Sequence, residues 1–212
     1  MPTDFSRDSI LHLISEAAKK LPVFVENSEK QQTEIYKPIL PDAVICFSNE
    51  LESVNGKCFV CENESDLYEK LGSFVQQGNF PYVYCRDSYI SNQLKAYKIP
   101  YSNKVTDFEG MSAGITGCEF LVARTGSVIV SSDSESGRQM NVFPPVHIVL
   151  AHVSQLVDYP EDALVAIQKK YENSLPSSIT TITGPSRTAD IEKTLVLGAH
   201  GPKDFLVFLC KE

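Results

Sequence analysis

A mostly parallel α/β fold is predicted by two observations on this 212-residue sequence. Across residues 41–100, helical stretches alternate with short β-rich runs, the order in which helices cover parallel strands. Beyond that point two apolar runs flank Thr125-Gly126 and read as a hairpin with a tight, Gly-containing turn. The expected architecture is a three-layer α/β domain with a β-hairpin insertion and an amino-terminal helical extension.

Each element has its own signal. Phe5, Ile10, Leu13, Ile14, Ala17 and Leu21 fall near helical spacing, so an amphipathic helix is expected up to Pro22. Residues 23–41 are polar and aperiodic and read as an extended arm or a lid. Residues 42–54 read as a helix and 57–62 as a strand. Asn63 or Ser65 then caps a helix through Leu67, Leu71, Phe74 and Val75, which Gly78 stops. Residues 82–85 form a short strand, and 89–97 a helix closed by Pro100. Residues 120–124 and 127–131 make the hairpin, a polar loop spans 132–141, and Pro144 and Pro145 precede a strand over 146–153. Pro160 opens a helix that reaches Tyr171. Residues 178–183 are rich in β-branched side chains and read as a strand. Ser186 or Thr188 is then expected to cap a helix carrying Ile191, Leu195 and Val196, ended by Gly198 and Gly201. Residues 205–210 form a final buried strand. The expected division is residues 1–56 as extension and arm, and 57–212 as one domain.

Composition narrows the function classes. A hydrophobic fraction of 42% supports a sizeable core. A net charge of -8 repels phosphate backbones and anionic headgroups, so nucleic acid and membrane surfaces are poor partners, although a local basic patch can hold one small anion. The first twenty residues mix charges with apolar residues and lack a signal-peptide core, and no run approaches the ~18 apolar residues of a membrane span, so the cytoplasm is the expected location. Six scattered cysteines predict neither a disulfide scaffold nor a metal or iron–sulfur site. Cys58 and Cys61 form a CxxC, but on a strand residues i and i+3 point to opposite faces, so buried structural thiols are expected. No cofactor is expected.

Three segments carry possible chemistry. Thr183-Gly184-Pro185-Ser186-Arg187-Thr188-Ala189-Asp190 would lie where a strand passes into a helix, and a helix start with hydroxyls and a guanidinium binds anions. A plain helix cap explains the same residues, with Asp190 complementing the dipole. Gly114-Ile115-Thr116-Gly117-Cys118-Glu119, which leads to Thr125-Gly126-Ser127, reads as tight turns whose glycines admit a close ligand. It matches neither a Walker loop nor a dinucleotide fingerprint. In Ser136-Gly137-Arg138-Gln139, Arg138 can clamp a carboxylate or stand solvated in the loop. His147 sits in an apolar strand as a core histidine. His200, in Gly198-Ala199-His200-Gly201-Pro202, can move a proton or cap a helix end.

Taken in order, Ile115-Thr116-Gly117-Cys118-Glu119-Phe120, Thr125-Gly126-Ser127, Gly137-Arg138, residues 184–192 and Leu195-Val196-Leu197-Gly198-Ala199-His200-Gly201-Pro202 resemble the LUD domain of the lactate-utilisation protein C (LutC/YkgG) type. The resemblance covers roughly residues 57–212. It implies a fold of the NagB/RpiA/CoA-transferase-like class. It also implies a part in oxidising L-lactate to pyruvate beside separate iron–sulfur subunits, whose Cys-rich runs this chain lacks. The family pattern has an acidic residue before the Thr-Gly turn, where this sequence has Arg124.

The ligand-binding candidates are therefore Gly117, Glu119, Thr125, Gly126, Ser127, Arg138, Ser186, Arg187, Thr188 and His200. Residues 125–127, Arg138 and residues 186–188 are expected to converge on one pocket for a small anion. Two functions compete with a non-redox subunit or accessory factor. One is a stand-alone enzyme on a phosphorylated or acyl-CoA substrate, for which Glu119 is the candidate nucleophile. The other is a non-catalytic binding module. Whether the chain catalyses anything alone is left open.

Overall fold

Every strand pairing in the main sheet is parallel. The computed structural model describes residues 5–19, 38–104, 110–172, 174–189, 195–198 and 200–212, in two units, Met1–Lys37 and Pro38–Glu212. In the first unit, α1 (Phe5–Lys19) has the expected amphipathic pattern, with Ile10, Leu13 and Ile14 exposed along it. The residues expected to end this helix at Pro22, and most of the expected arm, lie outside the described residues.

The second unit runs α2 (Ala43–Ser53), β1 (Lys57–Cys61), α3 (Glu64–Gln77), β2 (Val83–Cys85), α4 (Ser88–Ala96), β3 (Tyr101–Ser102), β4 (Ala113–Thr116), β5 (Phe120–Val122), β6 (Ser127–Ser131), β7 (Val146–His152), β8 (Leu156–Val157), α5 (Pro160–Tyr171), β9 (Ile179–Ile182), β10 (Arg187–Ala189), β11 (Leu195–Leu197) and β12 (Asp204–Cys210). α2, α3 and α4 start where short polar side chains cap them. Asp42, Asn63 and Asp87 accept from the backbone N–H groups of Ile45, Asp66 and Ile90 at 2.9, 3.0 and 2.9 Å.

The six-stranded sheet has the order β1-β12-β7-β4-β2-β3. Its middle strands are near-continuous apolar runs because both faces are covered. On one face Leu67, Leu71 and Val75 of α3 and Ile90 and Leu94 of α4 pack against Ile115, Ile148, Leu206 and Phe208. Phe59 stacks on Phe208 with ring centroids 4.8 Å apart. On the other face, Phe47 and Leu51 of α2 and the residues Leu121, Val128 and Val130 meet Val149, Ala151, Val207 and Leu209. The cysteines of the CxxC divide between these faces as the strand geometry requires, Cys61 in the first cluster and Cys58 against the second.

The three-layer, mostly parallel α/β architecture and the hairpin are as expected, and the hairpin does more than insert. β5 pairs with β6 antiparallel, β8 joins β5, and β9 joins β6, giving a second, four-stranded sheet. Its outer face is covered by Ala163 and Ile167 of α5.

Two expectations are corrected. No helix starts at Ser186 or Thr188: Arg187–Ala189 and Leu195–Leu197 are strands paired antiparallel, Thr188 opposite Val196. Strand pairing supplies partners for the backbone groups that a helix would otherwise have used. Gly198, read as a helix stop, instead turns the chain at the end of β11 with φ +71°. The segment from Gly114 to Thr116, read as turns, lies in the buried strand β4. Gly114 is needed there because a Cβ would stand 2.8 Å from Pro144 Cγ and 3.0 Å from Met140 Cε.

Candidate functional site

Parallel strands end together, so the loops that follow them share one edge. After β2 the chain gives Asp87 and Tyr89, after β4 it gives Gly117, Cys118 and Glu119, and at the end of β7 it gives His152 and Gln155. Two adjoining cavities of about 370 and 180 Å³ occupy this carboxyl edge, and Asp87, Tyr89, Gly117 and Cys118 line both. This is the edge where open α/β sheets receive ligands. Gly117 contributes no bulk to the groove, since a Cβ on it would meet nothing within 4 Å.

Glu119 is the best-connected side chain of the groove. It is 8% exposed, and its Oε1 accepts from Ser131 Oγ at 2.6 Å and from the Tyr171 hydroxyl at 2.7 Å. Its Oε2 accepts from Lys170 Nζ at 2.6 Å. Burial pushes the carboxyl upward, but the three donors and the Lys170 charge outweigh it and hold the group below its usual range. The hydrogen bond to Glu119 raises Lys170 in turn. Burial, then the neighbouring Glu119 charge, pushes the Cys118 thiol up to about 12, so it is no ready nucleophile.

The backbone around this cluster is tied down. Gln155 donates from Nε2 to the Cys118 carbonyl at 2.6 Å and accepts from His152 N–H at 2.9 Å, joining the ends of β4 and β7. Across the groove, Glu135 accepts from Ser88 N–H at 2.6 Å and from Ser88 Oγ at 3.0 Å, which places a carboxylate at the start of α4.

The groove brings together Gly117 and Glu119 from the ligand-binding candidates. Thr125, Gly126 and Ser127 do not line it, and Gly126 lies against α2 instead. A Cβ on Gly126 would stand 2.2 Å from Leu51 N, and Ser127 Oγ meets Thr183 Oγ1 at 2.8 Å. Arg187 donates to the carbonyl of Val54, just past the end of α2. Arg124, in the place of the family's acid, pairs with Glu50 of α2 at 2.7 Å. Ser186 is held through its backbone: its N–H donates to the Pro202 carbonyl and its carbonyl accepts from Gly198 N–H. Thr188 sits in β10, and Arg138 is exposed at the start of a 3₁₀ turn. His200 lines a separate cavity with Lys203. Neither the groove nor that cavity is lined by Arg138 or by residues 186–188.

Lys170, Tyr171, Ser131, Asp87, Glu135 and Gln155 are among the groove residues that sequence reasoning missed. A usable signal existed for Asp87: an N-cap aspartate directly after a strand sits at the carboxyl edge of a parallel sheet. Among the described residues, no group of three or more His, Cys, Asp or Glu is placed to hold a metal ion. Likewise, no described helix is long and apolar enough to cross a membrane.

A model of the LUD domain matches residues 46–210. The uncharacterized protein NMB1437 of Neisseria meningitidis serogroup B is 38% identical over 104 residues, 49% of this chain and 44% of that protein. Lactate utilization protein C of Bacillus subtilis is 38% identical over 96 residues, 44% of this chain and 40% of that protein. The matched stretches thus span less than half the length of these relatives. Among solved structures, a DUF162 family protein from Deinococcus radiodurans has the same fold, with a TM-score of 0.60 at 16% identity, covering 79% of this chain and 96% of that one.

Proposed function

The chain belongs to the LUD domain family, and from that premise we propose that it serves in lactate utilisation, as a non-redox subunit or accessory factor in the oxidation of L-lactate to pyruvate. The observation that carries this reading is the 38% identity to lactate utilization protein C of Bacillus subtilis. In this reading, iron–sulfur partner subunits carry the electrons, and this chain, with its cysteines spread over separate elements, organises those partners or a small ligand in the cytoplasm.

The carboxyl-edge groove is the working surface of the proposal. Its cluster of Glu119, Lys170, Tyr171 and Ser131 is preorganised, because each member holds another in place before anything binds. A stand-alone acyl transfer has less support. Its nucleophile would be the Glu119 carboxylate, and both oxygens of that group already accept hydrogen bonds that withdraw its lone pairs.

Deleting this chain from its own host and growing the strain on L-lactate or on pyruvate tests the proposal. Loss of growth on L-lactate with growth on pyruvate intact is the expected result. Equal growth of deletion and parent on L-lactate would overturn it. Affinity purification at endogenous level, without oxygen, is expected to bring down iron–sulfur proteins. Turnover of an acyl-CoA by the isolated chain would favour the second reading instead.

A further inference from the structure

The two cavities at the ends of the main sheet have linings of opposite charge. The carboxyl-edge groove presents Asp87, Glu119, Asp133 and Glu135 against one ammonium, Lys170, which Glu119 already holds. The cavity at the opposite edge, of about 350 Å³, is lined by Pro145 and Lys203, the residues just before β7 and β12, together with Val142, Phe143, His200 and the backbones of Gly198 and Gly201. Its titratable lining residues, Lys203 and His200, are both bases.

This cavity has a fixed frame. The Pro145 carbonyl accepts from Lys203 N–H at 2.7 Å and from Asp204 N–H at 3.1 Å. Gly198 adopts φ +71°, and a Cβ there would stand 2.1 Å from Lys203 Cγ, so the lysine stem lies across the glycine. Gly201 packs on Ser186, where a Cβ would come within 3.0 Å of the serine Cβ. Gly198 therefore lets the lysine stem lie close along a cavity that His200 also lines, together with the apolar Val142, Phe143 and Pro145.

We infer that this amino-edge cavity is an oxyanion site, in which Lys203 and His200 hold the carboxylate or phosphate of a small molecule and Val142 and Phe143 receive its apolar part. The pairing of a charged donor with a second N–H donor is the chemistry that recognises such groups. The inference does not depend on the lactate reading, since it concerns where on this chain an anion is held.

The test is an NMR titration of the isotope-labelled full chain with sodium L-lactate and, separately, with sodium phosphate, at constant ionic strength. Saturable shifts centred on Gly198, His200, Gly201 and Lys203 are expected. The stronger of the two probes tells a carboxylate site from a phosphate site. Lys203→Met keeps the stem and removes the charge, and should weaken binding by roughly tenfold or more. His200→Ala, at an exposed position, should weaken it independently. Lys95→Met, which removes the same charge from the exposed face of α4, should leave it unchanged. Shifts centred on Gly117 and Lys170, equal weakening by Lys95→Met, or no saturation with either probe would each overturn the site.

Discussion

Glu119 Oε2 lies 2.6 Å from Lys170 Nζ, and the two side chains differ sharply in exposure, 6% against 55%. A buried carboxylate thus depends on an ammonium that water partly screens. The pair joins the loop after β4 to the last turn of α5 and so fixes one wall of the groove.

The first prediction concerns the value of that pair. Glu119→Gln should destabilise the chain by about 1–3 kcal/mol, since the Ser131 and Tyr171 hydroxyls lose a charged acceptor. Lys170→Met should cost less, and the coupling between the two in a double-mutant cycle should be about 1 kcal/mol, because solvent screens the lysine. Urea denaturation of the four proteins measures it. The pH dependence has a definite sign. The folded Glu119 pKa lies below its unfolded value, so its contribution is intact above about pH 4.5 and is lost as pH falls below that. Glu119→Gln should therefore show a shallower acid loss than the parent.

The second prediction rests on His147. Its Nε2 is 2.9 Å from Thr116 Oγ1, its Nδ1 is buried with no partner among the described residues, and burial lowers its pKa to about 3. Below pH 6.5 the unfolded chain takes up a proton that the folded chain refuses, so stability falls with pH from 6.5 toward about 3. This residue alone should give a slope near 1.4 kcal/mol per pH unit within that window. His147→Leu should remove that share of the slope whatever it does to absolute stability. An unchanged slope in denaturation curves from pH 6.5 to 4.5 would show that the ring protonates in the folded state.

The third prediction contrasts two glycines of the segments singled out in the sequence. Gly126 has φ +59°, and a Cβ would strike the α2 backbone at Leu51 N. Gly126→Ala should cost about 2 kcal/mol or more, because it adds both strain and a clash. Gly117 has open space around it, so Gly117→Ala should stay within about 0.5 kcal/mol. Thermal unfolding of both variants checks the pair. A small loss at Gly126 would mean that the hairpin and α2 can separate.

Much of the fold was legible because its signals are local. The cap Asn63, the apolar spacing of α3 and the β-branched runs of β6 and β7 each announce an element within a few residues. The β10–β11 hairpin was misread because Ile191, Leu195 and Val196 mimic helical spacing, while the pairing of Thr188 with Val196 is non-local. β4 was hidden by Gly114, whose role comes from Pro144 and Met140, distant in sequence. Glu119 was singled out, but its partners Ser131, Lys170 and Tyr171 were not. They reach it only through the pairing of β5 with β6 and the packing of α5 on the second sheet. No spacing in the sequence encodes that meeting.

The last prediction concerns Glu135, which closes the far side of the groove. Its carboxylate accepts from both the amide and the hydroxyl of Ser88, the first residue of α4. A helix start leaves its first N–H groups without partners inside the helix, and here a side chain from the loop after β6 satisfies one of them. The contact therefore does two things: it caps α4, and it ties the loop of residues 132–137 to the edge of the groove. Asp87 already caps Ile90 N–H, so α4 should survive the loss of Glu135 while the loop is released. Glu135→Ala should lower hydrogen-exchange protection of the Ser88 amide by roughly tenfold, the order of one charge-assisted hydrogen bond. Protection in the middle of α4, at Leu94, should not change. The loop should also become cleavable by a protease at low concentration, and Glu135→Asp, one methylene short, should give an intermediate result. If Ser88 stays protected in Glu135→Ala, a neighbouring acceptor takes over the helix start, and the loop is held by its contacts with residues 177–178, among them the Ser132 hydroxyl accepting from Ser178 N–H at 3.1 Å and Ser132 N–H donating to the Ser178 carbonyl at 2.9 Å.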